Sequence, residues 1–133
     1  MADVQEASVN FFISPNVTLV TTTETVILSA PRIPVVRGTM TALILALAQL
    51  TTGTGTTAVT PRIRRGTAIT DPLVGEANAV TVGAAAGSTE QFLGFASEEL
   101  TNVASVEYSF TLTQTGATGN GTALMGAILV LLF

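Results

Sequence analysis

Thr122–Phe133, TALMGAILVLLF, is the stretch whose reading decides the fold. It carries no charge, and after Thr122 it has no polar side chain. It runs to the last residue with no polar tail behind it. A terminus normally frays into water. Leu131, Leu132 and Phe133 left wet would each forgo roughly 1.5–3 kcal/mol of burial. The stretch is therefore expected to be a strand covered on both faces. One face takes the core of its own domain. In a chain of 133 residues the other face is expected to meet a second copy.

Composition agrees with this expectation. The length allows one core. Hydrophobic residues are 47% and charged residues only 11%, with a mean hydropathy of +0.58. A soluble domain usually carries about 25% charged residues, so a surface this poor in charge points to an assembly. The longest apolar runs, Met40–Leu50 and Ala123–Phe133, are about half the ~20 residues of a membrane-spanning helix. MADVQEASVNFF has neither the basic start nor the apolar centre of a secretion signal. A soluble protein with no membrane partner is expected.

The missing residue types exclude much chemistry. Without Cys there is no disulfide or thiolate site. Without His the commonest general base and metal ligand is gone. All five cations are Arg, so a Ser–Lys pair is excluded along with a Ser–His pair. A net charge of −4 speaks against general nucleic-acid binding, which needs a basic footprint. Glu98 and Glu99 read as a solvated loop pair, since neighbours on a strand face opposite ways. Asp71, Glu76 and Glu90 have oxygen ligands but no calcium-loop spacing. No enzyme and no cofactor are expected.

Along the chain, residues 1–13 form an N-terminal arm containing Phe11 and Phe12, ahead of one domain over 14–133. Val17–Ala30 is dense in Thr and β-branched residues, with Thr22–Glu24 as a kink between two strands. Pro31 and Pro34 interrupt pairing before Gly38. Met40–Leu50 has good helix formers but only strand-like length; the β context favours a buried strand. Ala58–Ile69 reads as an edge strand because of Pro61. Asp71-Pro72 turns, Ala79–Val82 is a short strand, Glu90–Ala96 another, and Ser97–Asn102 a polar loop. Val106, Tyr108, Phe110 and Leu112 alternate with polar residues, the clearest period-2 signal. GATGNG, 116–121, is a hairpin turn. The Asn16 and Asn120 sequons read as chance matches in a Thr-rich chain. Eight to ten short strands with Gly, Thr and Pro turns predict an all-β jelly-roll sandwich.

This layout resembles the C1q/TNF-like jelly-roll modules of bacteriophage virion proteins. The resemblance rests on VTLVTTTETVILSA, the apolar strand after Gly38, RIRRGTAI, the alternating VEYSFTLTQTG and the hairpin into a closing apolar strand. It implies a homotrimer with the C-terminal strand at the threefold axis. The expected oligomer interface is Leu124, Ile128, Leu129, Leu131, Phe133, Leu43 and Leu45. The chain departs from the family in having few aromatics to pack at the axis. The implied role is a capsid decoration protein in the virion, whose partners are itself and the major capsid protein or another virion protein. Docking is assigned to Phe11 and Phe12 of the arm and to the basic cluster Arg62, Arg64 and Arg65. The basic cluster reads equally well as a charged strand edge. A receptor- or glycan-binding module is the alternative, for which Tyr108 is the only amphipathic ring.

Overall fold

The structure, a computed structural model, describes residues 7–14, 18–51, 57–76, 80–82, 89–115 and 121–133. Every regular element among them is a strand. In chain order these are β1 (Ser8–Ser14), β2 (Thr18–Val20), β3 (Thr25–Ser29), β4 (Ile33–Pro34), β5 (Thr39–Thr51) and β6 (Thr57–Arg65). They continue as β7 (Leu73–Glu76), β8 (Val80–Val82), β9 (Thr89–Thr101), β10 (Ser105–Val106), β11 (Tyr108–Thr115) and β12 (Gly121–Leu132). No helix of the described residues is long and apolar enough to cross a membrane.

Two antiparallel sheets make a sandwich. The front sheet has the order β1-β12-β5-β9, with β2 continuing the β1 edge along β12. The back sheet has the order β3-β11-β6-β7, with β8 pairing β6 beside β7. When β1 with β2, and β7 with β8, are each counted as one interrupted strand and β4 and β10 are left out of the count, the orders are 1-8-3-6 and 2-7-4-5. That is the jelly-roll arrangement. A small ladder of β4 and β10 lies apart from both sheets.

Met40–Leu50 is a strand, within β5. Its burial alternates residue by residue, and it is paired along both edges, to β12 and β9. Ladder pairing on both sides outweighs the helix propensity of Ala and Leu. The inward residues Ala42, Ile44, Ala46, Ala48 and Leu50 meet Ile128, Val130 and Leu132 of β12 and Phe92 of β9 in one buried cluster. The back sheet supplies Tyr108, Phe110, Leu112, Val59 and Ile63. Gly94 stands among these inward positions because a Cβ there would lie 2.8 Å from Phe110 Cε2.

Several local expectations are corrected. Residues 8–13 are not a free arm: they belong to β1, which pairs with β12 from Ser8↔Leu132 to Ser14↔Gly126. Phe12 packs against the core. Truncation at residue 13 therefore removes a strand of the front sheet. β6 is not an edge strand, because β11 lies on one side and β7 and β8 on the other. Pro61 falls between the segments paired to β8 (57–59) and β7 (62–64), where the ladder on that side is already interrupted. Residues 97–101 continue β9 instead of forming a loop, held by Met40↔Leu100 and Thr39↔Thr101. Thr22–Glu24 does separate two strands, and they belong to different sheets. The turn at 116–120 and the asparagines of both sequons lie outside the described residues.

Candidate assembly interface

The outward side chains of the front sheet line up in rows through its registers. The middle row is Phe11, Leu129, Leu45 and Phe95, one from each of β1, β12, β5 and β9. The row on one side is Ile13, Ala127, Leu47 and Leu93. The row on the other is Val9, Leu131, Leu43 and Ser97. Eleven of these twelve residues are apolar and none is charged. Val9 is 72% exposed, Leu93 71%, Phe95 60% and Phe11 57%. Strands about 4.8 Å apart and same-face residues about 6.8 Å apart give a patch on the order of 400 Å2. The largest apolar patch on a typical monomer is about 300–600 Å2 and often functional, so it is the composition of this face as much as its size that points to a partner.

On β5 and β9 the patch has a polar rim at both ends of the strands. Thr41 and Glu99 are opposed at one end. Gln49 and Gln91 are opposed at the other, followed by Thr51 and Thr89, whose hydroxyls are 3.4 Å apart. An apolar centre inside a polar rim is the anatomy of a protein–protein interface. The last residue is tied into the sheet: the Phe133 N–H bonds the Thr41 carbonyl at 3.0 Å, and the Thr41 N–H bonds the Phe133 carbonyl at 2.7 Å.

Of the interface residues expected from the sequence, Leu43, Leu45, Leu129 and Leu131 lie on this face. Phe133 and Leu124 are exposed as well. Leu124 is the extra residue of a β-bulge between Ala123 and Met125. Ile128 is corrected: it is fully buried in the chain's own core and unavailable to a second copy, because a strand alternates its faces. Val9, Ile13, Leu93 and Phe95 were not foreseen. Phe11, expected on a docking arm, belongs to this face instead.

The back sheet presents the opposite chemistry. Glu24 receives a fork from Arg64, with Nε at 2.7 Å and Nη2 at 2.8 Å, and the Thr111 hydroxyl at 2.6 Å. Arg62 bonds Glu76 at 2.7 Å and Thr113 at 2.8 Å. Arg65 pairs with Glu98, which also accepts the Tyr108 hydroxyl at 2.6 Å. Arg62, Arg64 and Arg65 therefore spend their charge inside the chain, which corrects their reading as a docking cluster. The Glu98–Glu99 loop pair is likewise corrected: Glu98 lies under Arg65 with its side chain 11% exposed, and Glu99 is on the opposite face. Burial, then the hydrogen bond and charge of Glu98, push the Tyr108 hydroxyl far above the ordinary phenol range.

Burial alone would raise the Glu24 carboxyl. Hydrogen bonds from Arg64 and Thr111 and the charges of Arg64 and Arg62 outweigh it, and the group sits below its ordinary value. The unfolded chain then binds the proton more readily, so this contribution to stability is complete above about pH 4.5 and is lost as pH falls through the lower folded value. Wild type is expected to lose melting temperature on acidification below pH 4.5. Glu24→Gln should lie lower at neutral pH and show a flatter acid limb. Equal acid slopes in the two would contradict the pairing.

Asp71, Glu76 and Glu90 are not brought together, and no group of three or more acidic side chains among the described residues is placed to hold a metal. The Asp71 carboxylate instead accepts the Ala68 N–H at 2.8 Å within its turn. A cavity of about 180 Å3 beside β1 is lined by Ile33, Pro34, Val36, Met40 and residues 7, 8 and 10, none of them titratable. A second, of about 300 Å3, is lined in part by Arg32, Arg65 and Glu107, with Arg32 already paired to Glu107.

No family model matches the chain, and no curated protein matches it. Solved structures do. A chain of infectious bursal disease virus Gx strain matches with a TM-score of 0.54 at 12% identity, covering 97% of this chain and 33% of that one. The infectious bursal disease virus VP2 subviral particle matches at 0.54 and 12%, covering 96% and 32%. The T13 particle of the same virus matches at 0.53 and 12%, covering 96% and 35%. The chain spans about a third of the length of these neighbours. At this identity the likeness is one of fold: a jelly-roll sandwich of the kind found in those virus particles.

Proposed function

We propose that the chain is a non-enzymatic structural virion protein, a homotrimeric decoration protein seated on a phage head. The observation that carries this reading is the uncharged apolar face of the front sheet, rimmed on β5 and β9 by polar residues and set on a jelly-roll sandwich. A second copy is the occupant that fits. The face has no charge with which to recognise a charged partner, and it needs an equally apolar surface of similar extent. The same chain always supplies one at matched concentration. The likeness in fold to virus-particle chains supports a role in a shell. Three copies is the number implied by the resemblance to C1q/TNF-like modules. The partners are then other copies and the major capsid protein or another virion protein, with neither nucleic acid nor membrane among them. Tyr108 is fully buried, which disfavours a glycan platform built on it.

The test is sedimentation of the purified protein with phage heads stripped of their outer proteins. Saturable binding in multiples of three copies per site is expected. Absence of binding to heads, together with hits on a glycan array, would favour the receptor-binding alternative.

A further inference from the structure

β1 is amphipathic in the opposite sense to β11. On β11 the apolar alternates Tyr108, Phe110 and Leu112 are buried in the chain's own core. On β1 the apolar alternates Val9, Phe11 and Ile13 are exposed on the front face. Ser8, Asn10, Phe12 and Ser14 turn toward the domain, and none of the seven residues is fully buried. Phe12 is the one apolar residue on that inner side, and it packs against the core. Asn10 turns its side-chain amide to Ser8, with Nδ2 3.0 Å from Oγ. Both line the cavity of about 180 Å3 whose far wall is Ile33, Pro34, Val36 and Met40. The inner side of β1 thus lies beside a space that its own side chains do not fill.

β1 is also held along one edge only, by β12. A slip of one residue along β12 would turn Val9, Phe11 and Ile13 inward and Phe12 outward. In a lone chain, burial by itself favours that parity or no seat at all. The observed register runs unbroken from Ser8↔Leu132 to Ser14↔Gly126, and it gives the apolar side of β1 to the front face. That choice is rewarded when the face is covered, because Val9, Phe11 and Ile13 then leave water together. The entropy of ordering the strand is met in the same step.

We propose that β1 is a clasp, seated on β12 in this register when a second copy covers the front face and released in the lone chain. Assembly and the ordering of β1 form one coupled equilibrium. This rests on the reading of the front sheet as a self-interface and says how that interface is completed.

Hydrogen exchange followed by mass spectrometry tests it, on the wild-type assembly and on a Phe95→Asp monomer. Phe95 is on β9, with β12 and β5 between it and β1, so the substitution does not touch the clasp. In the monomer the slowest amides of residues 8–14 should exchange about 100-fold or more faster than the slowest of β11. In the assembly the two sets should lie within about tenfold of each other. Asn10→Val in the monomer puts an apolar side chain against the cavity and should slow β1 exchange by about tenfold. Amides of β1 as slow as those of β11 in the monomer, or no slowing by Asn10→Val, overturn the clasp and leave the self-interface standing. Phe95→Asp chains that stay assembled, or a wild type monomeric at every concentration, overturn the interface and the clasp with it.

Discussion

Leu129→Asp is expected to turn the assembly into folded monomers. Leu129 is in the middle row of the front face, flanked by Phe11 and Leu45. In a single chain it is half-exposed, so a carboxylate there stays hydrated, and the fold loses about 1 kcal/mol or less through strand propensity. In the assembly each copy would bury an unpaired charge, at about 3–5 kcal/mol. Dissociation should become easier by roughly a thousandfold. Light scattering should report one chain while the melting temperature stays within a few degrees of wild type. The neighbouring Ile128→Asp supplies the contrast. Its side chain is fully buried, and a one-residue step along a strand moves the charge to the other face. That variant should fail to fold. If the two variants behave alike, the assignment of faces is wrong.

Phe110→Ala should produce the largest loss of stability among conservative core truncations. The ring is fully buried on β11, under Gly94 of β9. Removing it costs about 3–5 kcal/mol, or roughly 10–20 °C in melting temperature for a chain of this size. Gly94→Ala alone should also destabilise, since its Cβ would approach Phe110 Cε2 to 2.8 Å. In the Phe110→Ala background the added methyl enters vacated space, so Gly94→Ala should become neutral or mildly stabilising. A double-mutant cycle in denaturant reads this coupling. Strict additivity would show that the two sheets do not meet at this point.

What the sequence made legible is what local pattern encodes. The alternation through Val106, Tyr108, Phe110 and Leu112 has one apolar face, and the structure buries that face. β5 and β12 have apolar residues on both faces, so their strand character was readable but their orientation was not. Naming both Ile128 and Leu129 as interface residues shows the difficulty. Adjacent strand residues cannot share a face, and only the partner strands fix the parity. The bulge at Leu124 shifts that parity once more. The period-2 signal of Val9, Phe11 and Ile13 was present in SVNFFIS, but Phe12 beside Phe11 obscured it. In β9, Phe92 points inward and Leu93 outward, so its outer face was hidden in the same way. The pairing of Arg64 with Glu24 spans 40 residues of sequence. It exists only because β3 and β6 both flank β11, and no local pattern announces it.

The central claim is that the front face is covered by other copies of the same chain. The most direct test is the solution mass of the full chain by size exclusion with light scattering across a dilution series. The account predicts about three times 13.6 kDa, near 41 kDa, persisting on dilution. A single-chain mass of 13.6 kDa at every concentration would contradict it.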